Sequence, residues 1–324
     1  MRGRIGESVM NEKRKVVLVG TGFVGMSMAY TFLSTGGIDE LVLIDVNMEK
    51  AEGEAMDLQH GLPYAQGKLT VKAGDYSECK DASIVVITAG VTMKEGETRL
   101  DIAAKDAKIV KSVTENIMAS GFDGIIVVAS NPVDSMAYVA QKVSGLPKER
   151  VIGSGTILDT ARLRFMMSEY LNVSSSNIHA YIMGEHGDSS FVPWTNAYVG
   201  FKSLLEVMDE KGKDMDDLLN IYTQVQQAGY EIIKRKRSTY YGIGLSLNRL
   251  VRAILDDENV ILTVSVFQEG QYGQEGLYIG VPAVVNRDGV REVVQIELNE
   301  VDQAKFDASC DTLRKINEEI EQYL

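Results

Sequence analysis

Between residues 15 and 152, short apolar runs alternate with longer stretches of mixed character. The runs at 15–19, 41–44, 84–88, 125–128 and 151–152 are rich in Val, Ile and Leu and lack polar alternation, as strands buried on both faces do. A shorter, more polar strand is expected at 68–72. The stretches at 26–33, 47–61, 101–120 and 133–143 carry apolar residues at helical spacing. Asn47 is a suitable cap for the second of these helices, and Gly121 a stop for the third. Six strands with helices between them make two βαβαβ halves, so the predicted fold class is α/β, a Rossmann-type doubly wound parallel sheet. After Gly155 the texture changes. A helix is expected from 159 to about 171, a strand reaching 183, and long helices over 213–236 and 240–256. Strand-like runs follow at 260–267, 278–285 and 292–298, and a charged helix at 302–324 closes the chain. This second part reads as an α+β catalytic domain. The expected division is a tail at 1–13, a sheet domain at 14–154 and the catalytic domain at 155–324.

The first strand runs directly into Gly20-Thr21-Gly22-Phe23-Val24-Gly25, a helix follows, and the second strand ends at Asp45, twenty residues after Gly25. Glycines at this spacing permit a tight turn and let a pyrophosphate approach the backbone at the positive end of the helix. A carboxylate at the end of the second strand accepts hydrogen bonds from a ribose 2′-hydroxyl and repels a 2′-phosphate. GxGxxG alone is a weak signal. Embedded in strand, turn, helix, strand and acid it points to a dinucleotide, with NAD preferred over NADP.

Composition narrows the class. A hydrophobic content of 45% with 24% charged residues suits a soluble globular protein. A net charge of −13 argues against nucleic-acid partners, whose phosphates need clustered cations. The cysteines are Cys79 and Cys310, without CxxC or Cys/His spacing, so neither a disulfide framework nor a metal site is expected and a reducing cytoplasm is the natural setting. The polar, rather basic start of the chain lacks the apolar core of a secretory signal, and no apolar span approaches the length of a membrane helix.

Chemistry concentrates at Gly184-Glu185-His186-Gly187-Asp188, a polar turn following an apolar run. An imidazole exchanges protons near neutrality, and a carboxylate beside it would stabilise the imidazolium. Asp159, at a helix start, is the candidate. Arg162, three residues on and so on the same helical face, offers a planar fork for a substrate carboxylate. The polar stretch 91–100 follows the carboxyl end of the fourth strand, where ligands bind in such sheets, and is long enough to close over them. Arg99 at its end would polarise a carbonyl. With an NAD site, these groups describe hydride transfer to a 2-keto acid, His186 protonating its oxygen. A silent NAD-binding sensor is the opposing reading, disfavoured because His186, Asp159, Arg99 and Arg162 are all present.

These motifs place the resemblance. GTGFVG at 20–25, GETR at 96–99, SNPVD at 130–134, GSGTILDTAR at 153–162, GEHGD at 184–188 and TYYGI at 239–243 resemble the lactate/malate dehydrogenase family, its bacterial L-lactate dehydrogenases above all, over nearly the whole chain. The resemblance implies that His186 is the proton donor and acceptor, Asp159 its orienting partner, Arg162 the binder of the substrate carboxylate and Arg99 the arginine of a closing loop. Asn131 is implied to contact substrate and cofactor, and Thr239 to line the substrate pocket. Implied NAD positions beyond Gly20, Gly22, Gly25 and Asp45 are Val24, Lys50, Tyr76, Gly90, Ser112, Ala129, Ser130, Asn131 and Ser154. Arg164 and His179 match residues with which many bacterial members bind fructose 1,6-bisphosphate across a subunit interface, and a homotetramer is the implied assembly.

The chain departs from the family at four places. Met93 stands where lactate dehydrogenases usually carry Gln and malate dehydrogenases Arg. A thioether cannot pair with the second carboxylate of oxaloacetate, so malate dehydrogenation is not expected. Met93, Glu95 in place of a common Pro, and Gly229 in place of a common Ala together suggest tolerance of bulkier branched 2-keto acids. The alternative to a lactate dehydrogenase is therefore an L-2-hydroxyisocaproate-type enzyme. Arg237 replaces a usual Gly, and the sequence offers no reading of it.

Overall fold

The fold comes from a computed structural model that describes residues 14–91 and 99–324, with the backbone alone at 99–101. The expected tail, Met93 and Glu95 lie outside the described residues. The first half comprises β1 (Lys15–Val19), α1 (Phe23–Thr35), β2 (Glu40–Ile44), α2 (Met48–Gly61), β3 (Thr70–Ala73), β4 (Ile84–Ile87), α3 (Arg99–Ala119), β5 (Ile125–Val128), α4 (Val133–Ser144) and β6 (Val151–Gly153). The second comprises α5 (Ile157–Leu171), β7 (Ile178–His179), β8 (Tyr198–Val199), β9 (Lys202–Ser203), α6 (Leu204–Glu210), α7 (Met215–Lys236), α8 (Tyr241–Leu255), β10 (Val260–Glu269), β11 (Glu275–Asn286), β12 (Gly289–Val293) and α9 (Glu300–Glu321).

Strands β3-β2-β1-β4-β5-β6 lie side by side in that order, all parallel. Chain order reverses between β1 and β4, the point where doubly wound sheets bind ligands. Every residue of β1, β2, β4 and β5 is buried, because helices cover both faces. Alternation along each strand divides the core: Val16, Leu18, Ile84 and Val86 pack on one face with α1, α2 and α8. Val17, Val19, Val85 and Ile87 pack on the other with α3 and α4. A third core joins α5, α6 and α7 through residues such as Leu163, Met167, Leu204 and Val225. The side chain of Asn47 caps α2 by accepting the Lys50 amide at 3.1 Å.

The sheet does not stop at β6. Ser265 of β10 pairs antiparallel with Gly153, and β11 and β12 extend the same sheet to nine strands. A Cβ on Gly153 would lie 2.7 Å from that of Ser265, so the glycine lets the two halves of the chain join along one ladder. Two strand expectations fail for local reasons. Of the run at 292–298 only its start belongs to β12, which pairs as far as Ala283↔Val293. Beyond that point Pro282 has no N–H to give, and the Tyr272 hydroxyl takes over, donating to the Val294 carbonyl at 3.0 Å and accepting the Ile296 amide at 3.1 Å. The strand expected to reach 183 ends at His179, and two threonines at the start of α5 satisfy the next segment: Thr160 in its first turns accepts the Ile182 amide at 3.0 Å, and Thr156, just before the helix, donates to the Ile182 carbonyl at 2.6 Å.

Arg237 also finds its explanation. It follows the last turn of α7 in the left-handed conformation, φ 70° and ψ −19°, with its amide donating to the Ile233 carbonyl at 2.7 Å. This is the helix-terminating position that glycine fills without strain.

Candidate active site

At the carboxyl ends of β1 and β2, Gly20 adopts φ +104°, and a Cβ there would lie 2.7 Å from the Ala89 amide nitrogen. A Cβ on Gly25 would come within 2.3 Å of the Gly20 carbonyl oxygen, so this glycine lets α1 sit against the turn. Gly22 differs: nothing lies within 4 Å of the Cβ it lacks, and it leads into α1, whose first amides no side chain caps. The turn is thus open on the side where a pyrophosphate would meet the helix.

Asp45 helps to build this turn. Its Oδ2 accepts from the Thr21 amide and hydroxyl, both at 2.8 Å, and its Oδ1 from the Asn47 amide at 3.0 Å. Burial alone would raise its pKa, but the Asn47 and Thr21 hydrogen bonds and nearby Lys50 outweigh it and hold the acid below its ordinary value. Lys50 reaches back to the Thr21 carbonyl at 2.5 Å. Tyr76 is half-buried close by, its phenol pushed up by burial. Across the switch point the Ser130 hydroxyl donates to the Ala89 carbonyl at 2.5 Å and ties the ends of β4 and β5 together. Beside Gly90, the buried Asp106 accepts the Val91 amide at 2.8 Å. Ser112 is exposed on α3 and does not border the cavity described next.

A cavity of about 420 Å³ opens below the turn. It brings together Val24, Ala129, Asn131, Ser154, Asp159, Arg162, His186 and Thr239, residues that are far apart in sequence. The His186 ring Nδ1 lies 2.6 Å from Asp159 Oδ2, while Asp159 Oδ1 accepts from Arg162 at 3.1 Å. An ionised carboxylate only accepts, so Nδ1 carries the proton and Nε2 is left for a ligand. Burial alone would lower the histidine's pKa. The charge and hydrogen bond of Asp159, aided by Asp134, overcome burial and push it up to about 9. Burial likewise works against Asp159, yet His186 and Arg162 hold that acid below its ordinary value. The site therefore carries an imidazolium at neutral pH, with 31% of the His186 side chain accessible.

Arg99 opens α3, and its side chain lies outside the description. Arg164 and His179 fall elsewhere. The Arg164 guanidinium donates to the Ala180 carbonyl at 3.1 Å and stacks over the Tyr181 ring, and His179 is exposed on β7. Apart from Gly229, sequence reasoning missed one wall of the cavity, where Tyr222, Val225, Gln226, Tyr230 and Ile233 of α7 line up with that glycine. Their three- and four-residue spacing marks one helical face, but it reads equally well as an ordinary core-facing stripe.

A glycine turn poised above a cavity that ends in a carboxylate-held histidine and an arginine is the layout of a nicotinamide-dependent dehydrogenase. The chain belongs to the lactate/malate dehydrogenase family: residues 14–153 match its NAD binding domain and 156–324 its alpha/beta C-terminal domain. It is 54% identical to L-lactate dehydrogenase 1 of Bacillus cereus over 302 residues, 93% of this chain and 96% of that one. L-lactate dehydrogenase 2 of Bacillus anthracis is 53% identical over the same shares. Among solved structures, a lactate dehydrogenase from a Medee basin deep-sea metagenome library superposes with a TM-score of 0.94 at 54% identity, covering 96% of this chain and 99% of that one. The minor L-lactate dehydrogenase of Enterococcus mundtii in its ligands-bound form gives 0.93 at 46% identity, covering 95% and 98%. The cofactor is NAD, and the chain is an NAD-dependent oxidoreductase.

Proposed function

We infer that the protein is an NAD-dependent L-lactate dehydrogenase, reducing pyruvate and oxidising L-lactate. The observation that carries this reading is the Arg162–Asp159–His186 chain of hydrogen bonds inside the cavity. When bound, NADH supplies the hydride. Arg162 pairs with the substrate carboxylate and aligns the 2-keto group with His186. As charge builds on the carbonyl oxygen, His186 Nε2–H donates its proton there, and Asp159 keeps the ring oriented throughout. In the reverse direction the neutral imidazole takes the hydroxyl proton. Asn131 and Thr239 border the same space and orient the substrate, and Arg99 completes the set from the start of α3. Gly22, Val24, Asp45, Lys50, Tyr76 and Ala129 to Asn131 surround the dinucleotide, with Gly20 and Gly25 shaping its turn.

The assembly is a homo-oligomer, a tetramer in the family's usual manner, that works in the cytoplasm. Its support is the exposed apolar side chains of Phe165, Tyr198 and Phe201 near α5 and β8. Arg164 and His179, on adjoining elements of that same region, suit fructose 1,6-bisphosphate as an activator at the subunit contact. NADH oxidation by pyruvate, 4-methyl-2-oxopentanoate and oxaloacetate in parallel tests the assignment. Pyruvate should give the highest kcat/KM. Either other acid in front would overturn it, and added fructose 1,6-bisphosphate should lower KM for pyruvate.

A further inference from the structure

Helix α7 walls the substrate cavity, yet only its first half is built into a core. Leu218, Ile221 and Val225 are its buried residues, and they pack with α5 and α6. From there to Lys236 the helix contributes Gly229 and Ile233 to the cavity wall but buries no side chain. At its far end the Lys236 ammonium lies over the rings of Tyr240 and Tyr241, 3.4 and 4.1 Å from their centroids. Between these supports, the helix meets the histidine turn through Tyr222, Gln226 and Tyr230, whose four-residue spacing puts them on one face.

Tyr222 makes the strongest of these contacts among the described residues. Its hydroxyl donates to the Ser190 carbonyl and lies 3.0 Å from the Ser190 hydroxyl. That hydroxyl reaches back to the Gly187 carbonyl at 3.2 Å, and Gly187 adjoins His186. One and two turns further along α7, Gln226 donates to the Asp188 carbonyl and Tyr230 to the Asp188 carboxylate, each at 3.4 Å, where a hydrogen bond is weak. Burial, aided by the charge of Asp159, pushes the Tyr222 phenol up to about 12 against the pull of Ser190. The hydroxyl therefore keeps its proton, and its bond, at neutral pH and well above it.

We propose that Tyr222 is a positioning residue that sets the width of the substrate cavity: by fixing α7 on Ser190, it holds Val225, Gly229 and Ile233 at a set distance from His186. Without the bond the span beyond Val225 tilts outward. A small 2-keto acid then loses more of its fit than a branched one, which fills the added room. His186, Asp159 and Arg162 take no part in the bond, so the chemical step is spared. This role rests on the assignment of the cavity to a 2-keto acid and names the residue that sizes it.

The test is Tyr222→Phe in the full chain, which keeps the ring among its neighbours and removes only the hydroxyl. For pyruvate, kcat/KM should fall by about three- to tenfold through KM, with kcat held within about twofold. The ratio of kcat/KM for 4-methyl-2-oxopentanoate over pyruvate should rise at least about threefold. Ser190→Ala is the control: the carbonyl that takes the phenol proton is retained, so the ratio should stay near that of the wild type. Peptide-level amide exchange in the cofactor-free chain requires no substrate. In Tyr222→Phe, exchange over 226–236 should quicken at least about threefold while 215–221 keeps the wild-type rate. If the wild type reduces neither acid, the lactate assignment fails and the exchange comparison alone decides the role of Tyr222. An unmoved ratio in a chain that reduces both acids, an equal shift in Ser190→Ala, or unchanged exchange beyond Gln226 would overturn the proposal.

Discussion

Two glycines of one turn should respond to the same substitution in opposite ways. At Gly22 the backbone has φ −75° and ψ 179°, a region open to any L-residue, and nothing within 4 Å would meet a new methyl group. Gly22→Ala gains about 0.4–1 kcal/mol by restricting the unfolded chain and loses roughly 0.5 kcal/mol as a poorer helix cap. Stability should stay within about 0.5 kcal/mol of the wild type. The methyl group would, however, stand where the dinucleotide must approach, and NADH should bind at least about tenfold more weakly, or about 1.4 kcal/mol. Gly25→Ala puts its Cβ 2.3 Å from the Gly20 carbonyl oxygen and 2.7 Å from the Thr88 hydroxyl. That hydroxyl also donates to the Gly20 carbonyl at 2.7 Å, so the turn cannot yield without losing the bond. Destabilisation of about 1–3 kcal/mol is expected, as for other overpacked sites. Urea denaturation gives the first quantity and NADH fluorescence titration the second. A Gly22→Ala chain with unchanged NADH affinity, or a Gly25→Ala chain as stable as the wild type, refutes the reasoning.

Replacing His186 by Ala should lower turnover by about 10²–10⁴ while NADH affinity is nearly retained; undiminished turnover would remove the histidine from the mechanism. With His186 pushed up to about 9, pyruvate reduction should hold through neutrality and fall above that pH, with lactate oxidation rising through the same range; a fall centred near 6.5 would contradict the Asp159 pairing. The sign for stability follows: the charged pair contributes in full below the unfolded histidine value of about 6.5 and its contribution fades as pH rises through about 9, which denaturation midpoints across that range can check. Gly229→Ala adds a methyl group to the cavity wall where no atom lies within 4 Å, so the ratio of kcat/KM for 4-methyl-2-oxopentanoate over pyruvate should drop; an unchanged ratio places substrate elsewhere. Arg237→Gly should relieve a left-handed residue at φ 70° and stabilise the chain by about 1 kcal/mol in urea denaturation, and a loss of stability would mean that the arginine side chain holds something in place.

Sequence and structure agree most closely where burial is two-sided. Val16 to Val19 and Ile84 to Ile87 have no solvent face, so nothing interrupts their apolar runs, and the glycine turn between β1 and α1 is bracketed by elements of obvious type. The union of β10 with β6 left no such trace. It depends on Gly153 facing Ser265, and a single glycine after a strand has many other uses. The end of β12 was misjudged because Pro282, on the neighbouring strand, removes the donor that the run at 292–298 would have needed. Within the site, His186 and Asp159 are separated by 27 positions; residue type made Asp159 a candidate and the resemblance paired the two, but no local pattern encodes their contact. Asp134 lay inside a recognised motif, yet its contact with the His186 amide depends on how α4 meets the histidine turn. Arg237 was opaque because its peculiarity is one of backbone conformation.

The pairing of β6 with β10 also bears on how the molecule can move and come apart. Backbone hydrogen bonds run from β3 to β12 across the seam between the two matched regions, so no flexible hinge separates them there. Any closing around substrate must be made by peripheral elements, such as helix α7, sliding over a stiff platform. For the same reason, loosening either half exposes the central ladder of the other, which couples their melting into one cooperative event. Amide exchange should then be slowest along β4, β5, β6 and β10 alike, without a step at the junction.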